Sequence, residues 1–267
     1  MEDVPFMSRP VSGSSPVPIT MPIRIFALRT TMGFMVAAAL LSIAALLAYV
    51  EAPINAGGAY VAGLSIIITL VAAYHYRAII HTRMNSGMSS RDEEIAIDGL
   101  RHSDWFVTLP LLVLKLYKLI NNQEQDLILD NAEFSALVAM AMVLLGAVAR
   151  LTLDWGLAIG EMRGVQRMLL IGCYVVSCVF LLLLLIDLSN AQSGSDAPSI
   201  LWSFFLVWAF YPVVAIGSLL VRSTSGSDTE WLSAFKDVSY AMLDLWSKAV
   251  FAWWTASTAF GVRFLNS

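Results

Sequence analysis

Long apolar stretches recur along this chain, each ended by polar or turn-forming residues. They predict seven membrane-crossing helices near 31–50, 58–81, 100–120, 133–158, 166–187, 199–221 and 235–261. About 20 helical residues cross a hydrocarbon core of ~30 Å, and each stretch reaches that length. The first, second, fifth and sixth read as clean spans; Thr31 to Val50, Met168 to Ile186 and Ile200 to Val221 carry no charge. The other three are interrupted. The third holds Arg101, Asp104 and Lys115, the fourth Arg150 and Asp154, and the seventh Asp244 and Lys248. Acids and bases at such depth imply a bundle with a polar interior rather than a simple anchor.

The fold class that follows is an all-α membrane protein, a seven-transmembrane-helix bundle. Residues 1–22, rich in Ser and Pro and without a secretory apolar core, read as a mobile tail, and 23–267 as the helical domain. The polar connections RMNSGMSSRDEEIAIDG and SNAQSGSDAPS leave no room for a second domain. Composition supports this: 58% hydrophobic residues, 13% charged and a mean hydropathy of +0.73 exclude an ordinary soluble domain, in which about 25% of residues are charged. The net charge of −4 gives no reason to expect a nucleic-acid partner. Cys173 and Cys178 lie on one apolar helix, about 140° apart around its axis, and read as packing residues. There is no Cys/His metal spacing, phosphate loop or nucleophile elbow, and the chain reads as no enzyme.

The candidate chemistry centres on Lys248. Asp244 precedes it by one helical turn, so the two share a face. A lysine so placed can pair with carboxylates, or its amine can condense with an aldehyde. In the third segment Arg101, Asp104, Thr108 and Lys115 fall roughly on one stripe, with Lys115 about 16 Å beyond Asp104 along the axis. If the third and seventh helices face each other, Asp104 and Asp244 supply two anions to Lys248. A structural interhelical salt bridge accounts for the same spacing. Trp105, beside Asp104, and VWAFYP with Trp208, Tyr211 and Pro212 offer flat side chains for an elongated apolar ligand; singly, each is ordinary packing.

The ordered set R-x-x-D-W-x-x-T-x-P on the third segment, W-x-x-Y-P on the sixth and D-x-x-x-K on the seventh resembles the microbial (type I) rhodopsins across nearly the whole chain. AAYHYR in the second segment, IGC in the fifth and VWAFYP in the sixth resemble the proteorhodopsin and xanthorhodopsin branch. The resemblance implies an internal pocket in which Lys248 carries all-trans retinal as a protonated Schiff base. It implies Asp104 as counterion and proton acceptor, Asp244 as second counterion, Arg101 as a switchable cation on the release side, and Thr108 hydrogen-bonded near Asp104. His75 is expected to pair with Asp104. Trp105, Leu112, Trp208, Tyr211, Pro212 and Tyr76 are expected around the retinal, with Ser247 beside the linkage as a colour-tuning hydroxyl. The implied partners are the lipid bilayer of a plasma membrane and further copies of the chain; neither an interface nor a carotenoid antenna can be read from the residues.

The chain departs from the family at Lys115, which stands where most pumps carry a carboxylic proton donor. A minority of pumping relatives has lysine there, so the resemblance implies a light-driven outward proton pump with Lys115 as candidate donor. A lysine serves this role only if burial lets its ammonium give up the proton near neutral pH. Slow reprotonation from the cytoplasm, as in a photosensor, and a lysine that snorkels to the interface are the other readings. His102 and Glu161 read as polar residues at the helix end and in a loop, or as release-side participants, and Arg150 with Asp154 as a pair one turn apart. Topology conflicts with the resemblance. Arg24, Arg29, Arg77, Arg83, Arg91, Arg163, Arg167 and Arg222 fall on the N-terminal side, which the positive-inside rule would place in the cytoplasm, making proton delivery inward. The resemblance places that side outside. A small-molecule transporter with an intramembrane ion pair is the reading without retinal.

Overall fold

The computed structural model describes residues 20–50, 56–85, 87–120, 129–158, 164–191, 197–225 and 229–256. Six long helices, α1 (Met21–Val50), α2 (Ala56–Asn85), α3 (Ser90–Ile120), α4 (Leu129–Ala158), α5 (Gly164–Ala191) and α6 (Ala197–Ser225), lead to α7 (Thr229–Asp244). The seventh helix then loosens into a π-helical stretch, Leu245–Val250, and returns to α-helix at 251–256. Chain neighbours pack as spatial neighbours, and the seventh helix closes the ring against α1. Each of the first six expected spans lies inside one helix, and the seventh is followed from α7 through the π-helical stretch as far as residue 256, its last residues lying outside the described ones. The helices run further than the apolar windows because polar residues at their ends still satisfy the helical backbone. α1 already begins at Met21, so the last residues assigned to the tail are helical.

Burial sorts the side chains as lipid demands. Exposed apolar residues such as Ile171, Val175, Val179, Leu182 and Ile186 stud the outer face of α5, whereas Arg101, Asp104, Lys115, Asp237, Asp244 and Lys248 are buried. Among the described residues α1, α2, α4, α5 and α6 hold windows apolar enough to cross a membrane. α3 and the seventh helix carry most of the buried charges instead, joined by Arg24 of α1 and Arg83 of α2. Where α1 and α2 meet the seventh helix the packing is made from Ala38, Ala72, Ala73, Ala249 and Ala252. Small side chains let helix backbones approach closely. On the other side Leu112, Val113, Leu116, Phe204, Trp208 and Phe251 join in the largest apolar cluster.

Candidate functional site

Asp104, Asp244 and Lys248 are each only 2% exposed, and they meet at one point. Lys248 Nζ donates to Asp104 Oδ2 and lies 3.3 Å from Asp244 Oδ1. The π-helical stretch contains Lys248 and starts directly after Asp244. Such single wide turns recur where a helix must aim a functional side chain. The two carboxylates differ in company. Asp244 accepts from Tyr76 Oη at 2.9 Å, Tyr211 Oη at 2.6 Å and Trp105 Nε1 at 3.3 Å. Tyr211 spends its only proton on that bond, so Ser247 donates to the Tyr211 oxygen at 3.3 Å. Asp104 Oδ1 has no hydrogen-bond partner among the described residues. His75 Nδ1 approaches it to 3.9 Å but is engaged at 2.9 Å with the Val71 carbonyl. The Thr108 hydroxyl donates to the backbone carbonyl of Asp104 at 2.9 Å.

A cavity of about 140 Å³ opens beside the Lys248 amine, between α3, α4, α5, α6 and the seventh helix. Trp105, Thr108, Leu112, Trp208, Tyr211, Pro212 and Ser247 stand on its wall. Tyr76 does not: it lies behind Asp244, on the counterion side. An elongated apolar molecule fits the part of this cavity beside the lysine: Leu112, Leu181, Trp208 and Pro212 give it an aromatic and aliphatic wall, Asp104 and Asp244 balance a cation at the Lys248 amine, and Asp98, Arg101, Arg150 and Lys236 line the remainder.

Sequence reasoning missed what lies beyond Arg101. Asp237, fully buried, accepts from Arg24 Nε at 2.8 Å, from Arg83 Nε and Nη2 at 3.1 Å, and from Arg101 Nη2. Asp98 binds Arg101 at 3.2 Å, Lys236 at 2.9 Å and Arg150 at 2.8 Å. Glu94 binds Arg83 at 2.6 Å, Lys236 at 3.0 Å and Arg24 at 3.3 Å, and Glu93 binds Arg83 at 2.6 Å. Burial pushes the Glu94 carboxyl up, but Lys236, Arg83 and the Ser233 hydroxyl outweigh it and hold it well below the ordinary carboxylate range. Arg101 is therefore tied to Asp237 and Asp98, and Arg150 reaches across to α3 because buried Asp98 needs cations. The Asp154 side chain and Glu161 lie outside the described residues. The signal was in the sequence: Asp237 precedes Asp244 by two helical turns on one face.

Lys115 is elsewhere. It is wholly buried, has no hydrogen-bond partner among the described residues, and its amine sits 4.5 Å from the centre of the Phe251 ring.

A family profile described as bacteriorhodopsin-like protein matches residues 27–261. The chain belongs to the bacteriorhodopsin-like family. Bacteriorhodopsin of Halobacterium halobium (strain port) is 30% identical over 159 residues, which cover 56% of this chain and 70% of that protein. Cruxrhodopsin-3 of Haloarcula vallismortis is likewise 30% identical, over 59% of its own length. Among solved structures, viral rhodopsin OLPVRII superposes with a TM-score of 0.67 at 18% identity, covering 90% of this chain and 99% of that one. Xanthorhodopsin, a light-driven ion pump with dual chromophore, gives 0.66 at 19%, covering 91% and 94%. Bacteriorhodopsin-like proteins are integral to membranes and bind retinal as chromophore, and the cavity beside Lys248 has the chemistry for it.

Proposed function

We propose that this chain is a light-driven outward proton pump in which Lys248 carries retinal. The observation that carries the reading is the buried Lys248 amine held between Asp104 and Asp244 at the end of an apolar cavity. Bound retinal supplies light absorption and a photoisomerisation that redirects the proton on the Lys248 nitrogen. The chain does the rest. Asp104, in contact with that nitrogen and with an oxygen to spare, accepts the proton. Asp244, with three donors already on it, stays the fixed anion. The proton leaves past the Arg101 network, and Lys115 refills the Lys248 nitrogen from the other side.

The same network supports the outward direction. Arg24 and Arg83, two of the arginines behind the positive-inside conflict, are buried partners of Asp237 and not solvated loop charges. The test is illumination of an unbuffered suspension of retinal-supplied cells making the protein. Acidification of the medium, abolished by a protonophore and by Asp104→Asn, is expected. Alkalinisation would reverse the direction. A dark-state recovery of a second or longer with no pH change would favour the photosensor, in which Lys115 does not refill the Lys248 nitrogen.

A further inference from the structure

The strongest unassigned feature is a column of aromatic rings that ends on Lys115. Trp208, on the cavity wall, packs on Phe204 with ring centres 4.1 Å apart, and Phe204 packs on Phe251 at 5.6 Å. The Phe251 face meets the Lys115 amine at 4.5 Å. Phe204, Trp208 and Phe251 are each at most 6% exposed, so the column is internal along its length. Phe251 follows Lys248 by one turn, about 4.5 Å along the helix axis. Leu112 and Leu116 stand near Lys115 in sequence on α3 and belong to the apolar cluster that Leu64 and Ile68 of α2 and Phe251 also join. Among the described residues no side chain of α2, α6 or the seventh helix makes a hydrogen bond with the Lys115 amine. On α3 itself, Tyr117 turns away to Asp187 and Ser135.

From this geometry we infer that Phe251 is the positioning residue for Lys115: its ring face holds the ammonium in place of a carboxylate, and Phe204 transmits displacement of Trp208 to that ring. The inference rests on the pump reading above. A cation within ~6 Å of an aromatic centroid is attracted to the ring face, most strongly where water is excluded. The ring therefore favours the protonated lysine, the form with a proton to give. A displacement of Trp208 at the cavity wall reaches Phe251 through Phe204 because close-packed rings move together. The step itself is a proton transfer. An N–H bond of the Lys115 ammonium breaks, the proton ends on the Lys248 nitrogen, and the neutral Lys115 amine takes a new proton from the cytoplasmic side.

The test measures recovery of the dark absorption band after a flash, across pH 5 to 9, in wild type, Lys115→Ala, Phe251→Leu and Phe251→Tyr. Phe251→Leu keeps apolar bulk but removes the ring face. It is expected to slow recovery several-fold near neutral pH and to move the pH at which recovery fails toward acid by about one and a half units, the size of a desolvated cation–π attraction. Phe251→Tyr is expected to restore both. An independent readout needs no light: the Lys115 ε-methylene NMR signal carries an upfield ring-current shift that Phe251→Leu removes and Phe251→Tyr keeps. Should Phe251→Leu fail to form pigment, Phe204→Leu takes its place in the flash measurement, with slowed recovery expected. If Lys115→Ala leaves recovery unchanged, the donor role of Lys115 and this inference both fall. If Lys115→Ala slows recovery while Phe251→Leu matches wild type, only the ring's role is overturned.

Discussion

The two buried lysines of this bundle live in opposite surroundings. Lys248 touches two carboxylates and lies next to a network that joins Arg24, Arg83, Arg101, Arg150 and Lys236 to Glu93, Glu94, Asp98 and Asp237. Lys115 has an aromatic face and aliphatic side chains. The charges on the Lys248 side nearly cancel: the network holds one cation too many, and the site holds one carboxylate too many. Charges that balance over several helices fix geometry, whereas burial without a counterion disfavours a group's charged form and so lets it release a proton. The first half of the interior is thus built to hold protons in defined places and the second to pass them.

The largest test of that contrast exchanges each lysine for alanine. Lys248→Ala is expected to abolish the visible band on adding retinal, and Lys115→Ala to leave it; a band surviving in Lys248→Ala would remove the attachment site. Stability separates the halves next. Asp237→Asn strips three arginines of their shared carboxylate and is expected to destabilise the fold by about 3–5 kcal/mol. Lys115→Met, which removes an unpartnered polar atom, is expected to cost nothing or to stabilise. Denaturation in detergent compares them, and equal losses would refute the contrast. The smallest effect is acid sensitivity. Glu94 is held below its unfolded value, so its contribution is complete above the ordinary carboxylate range, near pH 4.3, and is lost as pH falls through its lower folded value. Melting temperatures below pH 4 are expected to fall more steeply in wild type than in Glu94→Gln.

The seven helices were legible because lipid forces long apolar runs, and the Lys248 centre because Asp244 and Asp104 belong to motifs of short spacing. The cavity wall followed from the same motifs for Trp105, Leu112, Trp208, Tyr211 and Pro212. The arginine network was not read because its members are scattered. Arg24, Arg83, Arg101, Arg150 and Asp237 come from five helices, and nothing local marks Arg24 as facing inward. The same holds for Phe251, whose meeting with Lys115 joins two helices that sequence spacing cannot align, and for Tyr76, placed behind Asp244 by helix rotation alone.

Arg24 stands 213 residues before Asp237 in the chain. During synthesis α1 and α2 are made while their arginines lack the carboxylate that completes their coordination, and only the last helix supplies it. Docking of the seventh helix therefore closes the circle of helices and adds Asp237 to the carboxylates that α3 already offers Arg24 and Arg83 in a single event. Assembly of this bundle is expected to be cooperative, with the same late step that locks α1 in place also bringing Lys248 to Asp104.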